Sequence, residues 1–420
     1  MKVYKFGGAS INSLERIRNL ATILSDQDDN ILLVISAIGK TTNALERVAE
    51  AFYRGEQTTA LELFKIIKDE HIQTLKMLVH SDLQKSLNYL ESFFTEIEWM
   101  LHDKPVKEYS YYYDQIVCIG ELLSTSIVSS YLSECNIQNN WIDVRDIFRT
   151  DDTFQEATID WRYTQQKVNE EVLPLFNQSR IVITQGFIGA TDENESTTLG
   201  REGSDYTAAV FANMLNAHSL TIWKDVPGVM SADPKEFTDA IFLPALSYHE
   251  VIEMAYYGAQ VIHPKTIKPI ENKNIPLQVR CFLQPENQGT LITQSHQHFL
   301  PPVKVIKKHQ VLVTFSSTDF SFVGEKLIAA LYELFSVGNI RPNLMQSTAI
   351  SILCTLDDVP EKIEKLALSA SELFNVQLEK NLTLLTIRHY TDDLVKSLIK
   401  DKIIVLEQRT TDTLQILMRD

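Results

Sequence analysis

Two kinds of hydrophobic pattern alternate along this chain. Short apolar runs at 2–6, 31–36, 180–184, 219–223 and 277–282 read as buried strands. Between them lie longer segments with apolar residues three and four apart, as in Leu14, Ile17, Ala21 and Leu24, which read as helices. That alternation predicts an open, mostly parallel sheet sandwiched by helices, an α/β fold. Residues 43–103 interrupt it with a long helix-patterned insertion, carrying Leu61, Phe64 and Ile67 and then Leu90, Phe93 and Ile97. The insertion is expected to pack as a helical subdomain against the ligand edge of the sheet. Periodicity is lost over 293–309, where Pro301 and Pro302 mark a linker. It returns as strand 311–316, helix 324–335, strands near 343–347 and 349–355, and helix 360–373. A second pass follows as strand 382–387, helix 392–399 and strands 402–408 and 412–418, with no final helix. The expected division is a domain over 1–295, an α+β unit over 305–375 and a shortened one over 376–420.

The turns between these elements carry the chemistry. Gly200-Arg-Glu-Gly-Ser-Asp205 compresses two glycines, an arginine, a serine and an aspartate into a turn before a helix-forming run, Thr207 to Leu215. Glycines let backbone N–H groups approach an anion, and a helix N-terminus favours negative charge. Arg201 offers a planar fork for a carboxylate or phosphate. A plain glycine-rich connection capped by Ser204 is the competing reading of this segment. The strand at 2–6 runs into Gly7, Gly8, Ala9 and Ser10, and the strand ending near Ser36 runs into Gly39, Lys40, Thr41 and Thr42. Both are strand–small-residue–helix units, the form of a phosphate-cradling turn, without the Gly-Lys-Ser/Thr of a Walker loop. Lys5 would therefore reach a phosphate from the strand end; as a lone lysine it would read as an edge charge in solvent. At 223–235 Asp225 ends a strand, and Pro227-Gly228 and Asp233-Pro234 form turns.

These segments together resemble the aspartate kinases of the amino-acid-kinase family. The matching pieces are Lys5-Phe-Gly-Gly-Ala-Ser10, Gln185-Gly-Phe-Ile-Gly189, Gly200-Arg-Glu-Gly-Ser-Asp205, Asp225-Val-Pro-Gly228, His263-Pro264 and Pro285-Glu-Asn-Gln-Gly-Thr290. They occur in the family's order, and the C-terminal β-α-β-β-α pattern resembles the ACT regulatory domains of the same enzymes. The resemblance implies transfer of the ATP γ-phosphoryl group to the β-carboxylate of L-aspartate, with Mg²⁺. That reaction begins the route to lysine, threonine and methionine.

Carried over by motif, Lys5 would stabilise the phosphoryl group, and Gly7, Gly8 and Ser10 would supply backbone and hydroxyl donors around it. Asp205 would align the lysine or the metal. Arg201, with Ser204 beside it, would grip a substrate carboxylate. Glu121, in Ile119-Gly-Glu, would bind the substrate ammonium; its plain reading is an acid complementing a helix dipole. Thr42 would hydrogen-bond the substrate, and Phe187 would line its pocket. Lys224, Asp225, Met230, Lys235 and Gln260 fall on the nucleotide side. Here the chain departs from the family, which usually has threonine, tyrosine, arginine and lysine where Lys224, Met230, Lys235 and Gln260 stand. Glu202 stands where glycine is usual and is expected to point outward into solvent. In the ACT region, Asn343 replaces an aspartate found in inhibitor-binding members, so weak or absent lysine inhibition is expected.

Composition narrows the partners. The 39 basic and 55 acidic residues give a net charge of −16, which argues against nucleic-acid or anionic-membrane surfaces. Cys118, Cys135, Cys281 and Cys354 form no Cys-x-x-Cys pair and are expected as buried free thiols in a reducing compartment. No signal peptide or apolar run of spanning length is apparent, so a cytoplasmic location is expected. His296 and His298 could hold a metal, but a solvated linker is the favoured reading. No Gly-x-Gly-x-x-Gly occurs, so no fused dehydrogenase is expected. A homodimer through the ACT region is expected. Two readings compete with aspartate kinase: a kinase of another acidic amino acid such as glutamate, and a catalytically silent amino-acid sensor. Retention of Lys5, Glu121, Arg201 and Asp205 together speaks against the silent form.

Overall fold

A computed structural model describes residues 1–259, 262–295, 300–319 and 321–419. The chain divides into two compact units. The first comprises Met1–Val229, Phe242–Ile252 and Val261–His296; the second comprises Met230–Ile241, Glu253–Gln260 and Gln297–Asp420.

The first unit begins with β1 (Lys2–Phe6), α1 (Leu14–Ser25), β2 (Ile31–Ile35) and α2 (Thr41–Tyr53). Then come α3 (Gln57–Leu78), α4 (Leu83–His102), α5 (Tyr109–Val117), α6 (Ile119–Glu134), β3 (Asn139–Trp141) and α7 (Trp161–Lys167). β4 (Ile181–Gln185), β5 (Ile188–Ala190), β6 (Ser196–Thr198), α8 (Gly203–Met214) and β7 (Ser219–Lys224) follow. The last are β8 (Ala245–Ser247), the first five residues of α9 (Tyr248–Tyr256), α10 (Pro264–Glu271), β9 (Leu277–Cys281) and β10 (Thr290–Thr293). Eight strands form one sheet in the order β3-β4-β2-β1-β7-β9-β10-β8, parallel except for the β9–β10 pair. Strand β2 is buried at every residue because helices cover both faces. β1 is central, with Lys5 in register with Val34 of β2 and Ile222 of β7, so Lys5 is not an edge charge. Phe6 and Ile35 end β1 and β2 side by side, and Trp223, one residue before the end of β7, stands in register beside Phe6. The crevice beyond such strand ends is where open α/β sheets bind ligands.

In the helical insertion, Tyr89 of α4 meets Trp141 of edge strand β3 edge-on, and Phe93 packs against the same ring at a tilt. The stretch Tyr109–Glu134, α5 and α6 in succession, is long and apolar enough to span a membrane, but most of it is buried inside the protein, so it is a core helix pair. The Pro285–Thr290 motif proves architectural. A Cβ on Gly289 (φ +68°) would lie 2.1 Å from the Val279 carbonyl oxygen. Thr290 Oγ1 donates to Leu243 O and accepts from Val229 N, which fixes the loop after β7.

The second unit contains β11 (Val303–Ser317), α11 (Glu325–Val337), β12 (Leu344–Ser347), β13 (Ser351–Asp357) and α12 (Pro360–Ala370). It continues with β14 (Phe374–Arg388), α13 (Asp392–Leu398), β15 (Ile403–Arg409) and β16 (Thr413–Arg419). Its six strands form one antiparallel sheet, β12-β13-β11-β14-β16-β15. Val311, Val313 and Phe315 face one core with Leu331 and Phe335 of α11 and Ile363 of α12. Leu312 faces the opposite core with Leu344, Leu382 and Leu417, as strand alternation requires. β11 starts eight residues before the expected strand at 311 because a register shift between Lys307 and Gln310, with His309 at φ +55°, divides it. Lys304 and Lys308, which hid the strand, pair with Asp239 and Glu236. All four cysteines are free, and Cys135 is exposed rather than buried. His296 and His298 lie outside the described residues.

Candidate active site

A cavity of about 680 Å³ opens beyond the ends of β1, β2 and β7. Lys5, Gly7, Gly8, Ser10, Thr42, Glu121, Phe187, Arg201, Ser204, Asp205, Lys224 and Asp225 all line it. Met230 and Lys235 are not among the residues that line it, and they fall in the second unit. Gln260 lies outside the described residues.

The floor is built from the two small-residue turns, which pack on each other. Gly39 N donates to Gly8 O, and a Cβ on Gly8 would lie 2.7 Å from Ala37 O and 2.8 Å from Gly39 O. Only a glycine lets these two backbones pass so closely. A Cβ on Gly7 would lie 3.2 Å from Lys5 Nζ, so the lysine runs directly over this turn. Lys5 Nζ meets Asp205 Oδ1 at 2.7 Å, with both side chains largely buried. Burial pushes the Asp205 carboxyl up, but the ammonium groups of Lys5 and Lys224 outweigh it and hold Asp205 below its usual range. The Ser10 hydroxyl donates to Trp223 O and ties the turn to β7, while its N–H donates to Gly7 O within the turn.

The opposite wall carries the arginine. Gly200 (φ +75°) and Glu202 (φ +53°) flank Arg201, and Gly203 N closes the turn on Gly200 O. Arg201 is exposed, and its guanidinium has no hydrogen bond or ion pair among the described residues. Helix α8 starts at Gly203, four residues earlier than the sequence pattern predicts, with Glu202 rather than Ser204 at its N-cap. Glu202 does not point into solvent: its Oε2 accepts from His263 N at 2.9 Å. Lys265 Nζ donates to Leu199 O at 3.0 Å, so the start of α10 grips the arginine turn at a second point. Phe187, itself at φ +72°, donates its N–H to Thr207 Oγ1 and packs against Gly203.

Glu121 enters from the first turn of α6 and is fully buried. Its Oε1 accepts from Ala37 N at 3.2 Å, while Oε2 has no partner among the described residues. Burial pushes its carboxyl up to about 8, against the opposing pull of the Ala37 N–H, its own backbone N–H and Lys5. A buried acid with one oxygen unpartnered in a cavity is a ready acceptor for a cation.

The cavity also includes residues that no motif singles out. Tyr113 of α5 donates to Glu46 of α2 at 2.7 Å, and both line the cavity. Gln155, Glu156 and Thr198 line it beside Gly200. Beneath them Asp114 is fully buried, and burial pushes its carboxyl up to about 6 in spite of three donors. Among the described residues, no group of three His, Cys, Asp or Glu side chains could cage a metal ion.

A family model described as the amino acid kinase family matches residues 1–281. Lysine-sensitive aspartokinase 3 of Escherichia coli is 30% identical over 397 residues, covering 92% of this chain and 86% of that protein. Aspartokinase 1, chloroplastic, of Arabidopsis thaliana is 33% identical over 392 residues, covering 90% of this chain and 67% of its own length. The crystal structure of E. coli aspartokinase III in complex with aspartate and ADP superposes with a TM-score of 0.83 at 28% identity, covering 100% of this chain and 96% of that one. With a matching family model, a relative similar along nearly its whole length and the same fold, this chain belongs to the amino acid kinase family, among its aspartokinases.

Proposed function

We propose that this protein is an aspartate kinase that transfers the γ-phosphoryl group of ATP to the β-carboxylate of L-aspartate, opening the aspartate-family amino-acid route. The observation that carries the reading is one cavity where the Lys5–Asp205 pair shares the lining with an arginine and a buried glutamate oxygen that have no partner among the described residues. Arg201 suits the α-carboxylate and Glu121 the ammonium of an amino acid, which leaves the side-chain carboxylate to meet the phosphoryl group. That acceptor is ionised at neutral pH and needs no general base, so the work is positioning and charge neutralisation. Lys5 supplies the neutralising charge over the Gly7–Gly8 turn, and Asp205 holds its ammonium in place. Lys224 and Asp225 continue the cavity on the side proposed for the nucleotide phosphates.

Mg²⁺ fits this donor set as an ion that comes with the nucleotide. Asp205 and Asp225 offer hard oxygen ligands in the cavity, the ligand type Mg²⁺ takes. When bound, the ion would neutralise phosphate charge; the chain's own residues orient the acceptor.

The second unit is proposed as ACT-type and as the surface of a homodimer. Asn343 is held within that unit: its Oδ1 accepts from Lys307 Nζ at 2.6 Å, and its Nδ2 donates to Gln310 Oε1 and Asp357 Oδ1. That engagement supports a weak response to lysine at this position. Four free cysteines accord with a cytoplasmic setting.

The deciding experiment is ADP release with MgATP and, in turn, aspartate, glutamate and acetylglutamate. Aspartate should be the preferred acceptor, and Lys5→Ala should lower kcat about a hundredfold or more, by analogy with removal of one preorganised donor. Preference for another acceptor, or near-normal turnover in Lys5→Ala, would overturn the assignment.

A further inference from the structure

We infer that Asp114 is a positioning residue that fixes the wall carrying Arg201 relative to Glu121, and thereby sets affinity for the acidic substrate. The inference rests on the proposed roles of Arg201 and Glu121. Asp114 does not line the cavity, yet its buried carboxylate ties together three separate pieces of chain. Oδ2 accepts from Thr198 N at 2.7 Å and from Gln155 N at 3.0 Å, while Oδ1 accepts from Thr198 Oγ1 at 2.8 Å. One side chain thus joins α5, the end of β6 and the turn at Gln155, which holds φ +72°. The adjacent Gln115 continues the grip like a strand partner. Its Nε2 donates to Ser196 O at 2.7 Å, and its Oε1 accepts from Ser196 N at 3.0 Å.

Both ends of this clamp lead to the site. After Thr198, a single residue separates β6 from Gly200 and Arg201. A Cβ on Gly200 would stand 3.2 Å from the Gln155 carbonyl, so that turn directly backs the arginine loop. In the other direction α5 passes through Cys118 into α6, whose third residue is Glu121. The groups proposed for the substrate's carboxylate and ammonium therefore belong to two segments that Asp114 and Gln115 join. Burying a carboxylate without a cation is costly, and neutral N–H and O–H donors offset only part of that cost. Packing alone would be served as well by an apolar residue. A charge retained here is explained by the need to hold three donors at fixed places.

The test compares Asp114→Asn with the natural chain, using whichever acidic amino acid the ADP-release assay identifies. Failure of the aspartate reading therefore leaves this comparison intact. Asparagine is nearly isosteric but turns one acceptor oxygen into a donor that faces N–H groups. Its KM for the amino acid should rise roughly tenfold or more, with the KM for ATP changed less than about twofold. Thr198→Val should act in the same direction, and the double variant should be no worse than the more damaged single one. If Asp114→Asn does not fold, Asp114→Glu, which keeps the charge but displaces it, carries the same comparison. An unchanged amino-acid KM, an equal rise in both KM values, or fully additive effects of Asp114 and Thr198 would overturn the inference.

Discussion

Glu121 and Asp205 are both buried carboxylates at one cavity, yet their surroundings move their protons in opposite directions. Asp205 touches an ammonium and stays ionised, whereas Glu121 keeps one oxygen unpartnered and is raised to about 8. The unfolded chain titrates such a glutamate near its ordinary value, so between roughly pH 4.5 and 8 the ligand-free fold binds the extra proton. Its stability contribution is therefore lost as pH rises through that window. Binding an amino acid should reverse the preference, because an ammonium against Glu121 favours the charged form. Calorimetry at pH 7 in buffers of different ionisation enthalpy should detect release of about one proton per bound amino acid. Glu121→Gln should abolish the release; equal release in that variant would remove Glu121 from the ammonium site. Lys5, Arg201 and Asp205 were legible because each lies in or directly beside a short glycine-punctuated turn, Lys5 near the end of β1 and Asp205 in the first turn of α8. Asp114, Gln155, Glu46 and Tyr113 were not, because they lie in helical and loop segments without such punctuation and reach the site only through tertiary packing. Ser10 shows the converse, a motif residue whose donors the fold has already used.

At the scale of elements, the two crossing glycine turns depend on backbone meeting backbone. The atoms that a Gly8 Cβ would meet, the Ala37 and Gly39 carbonyl oxygens, are main chain and cannot swing aside as a side-chain tip could. Gly8→Ala should therefore cost about 1–3 kcal/mol in denaturant unfolding and lower turnover as well, because the displaced turn lies under Lys5. Gly324→Ala is the control. Nothing lies within 4 Å of its added Cβ, and the poorer N-cap is largely offset by the less flexible unfolded chain, so the net cost should stay below about 1 kcal/mol. Equal costs at the two positions would show that the turns are not tightly crossed. The parallel strands of the first unit were legible because burial on both faces leaves unbroken apolar runs, as in β2. β11 and β14 were read at less than half their length of 15 residues each, because polar positions around their irregularities mask the alternation. In β11, lysines that look solvent-facing are paired within the unit, Lys304 with Asp239 and Lys308 with Glu236.

Over the whole molecule, the second unit has surface that a lone chain should not leave open. Its sheet ends in two edge strands, β12 and β15, and unpaired strand edges invite pairing with another chain. Phe322 and Val337, at either end of α11, are 81% and 84% exposed, Leu368 of α12 is 74% exposed, and Ile403 on edge strand β15 is 61% exposed. Large apolar side chains left exposed on one unit are candidates for a covered surface. A second copy of the chain is the proposed occupant, because an isologous contact would cover the same residues on both partners. Sedimentation should find the full chain as a dimer and a chain ending at Thr293 as a monomer. The truncated chain keeps every strand of the eight-stranded sheet, so it can fold without the second unit's sheet. A truncated chain that dimerised as tightly as the full one would move the interface onto the first unit. The exposed apolar residues of the second would then require another partner.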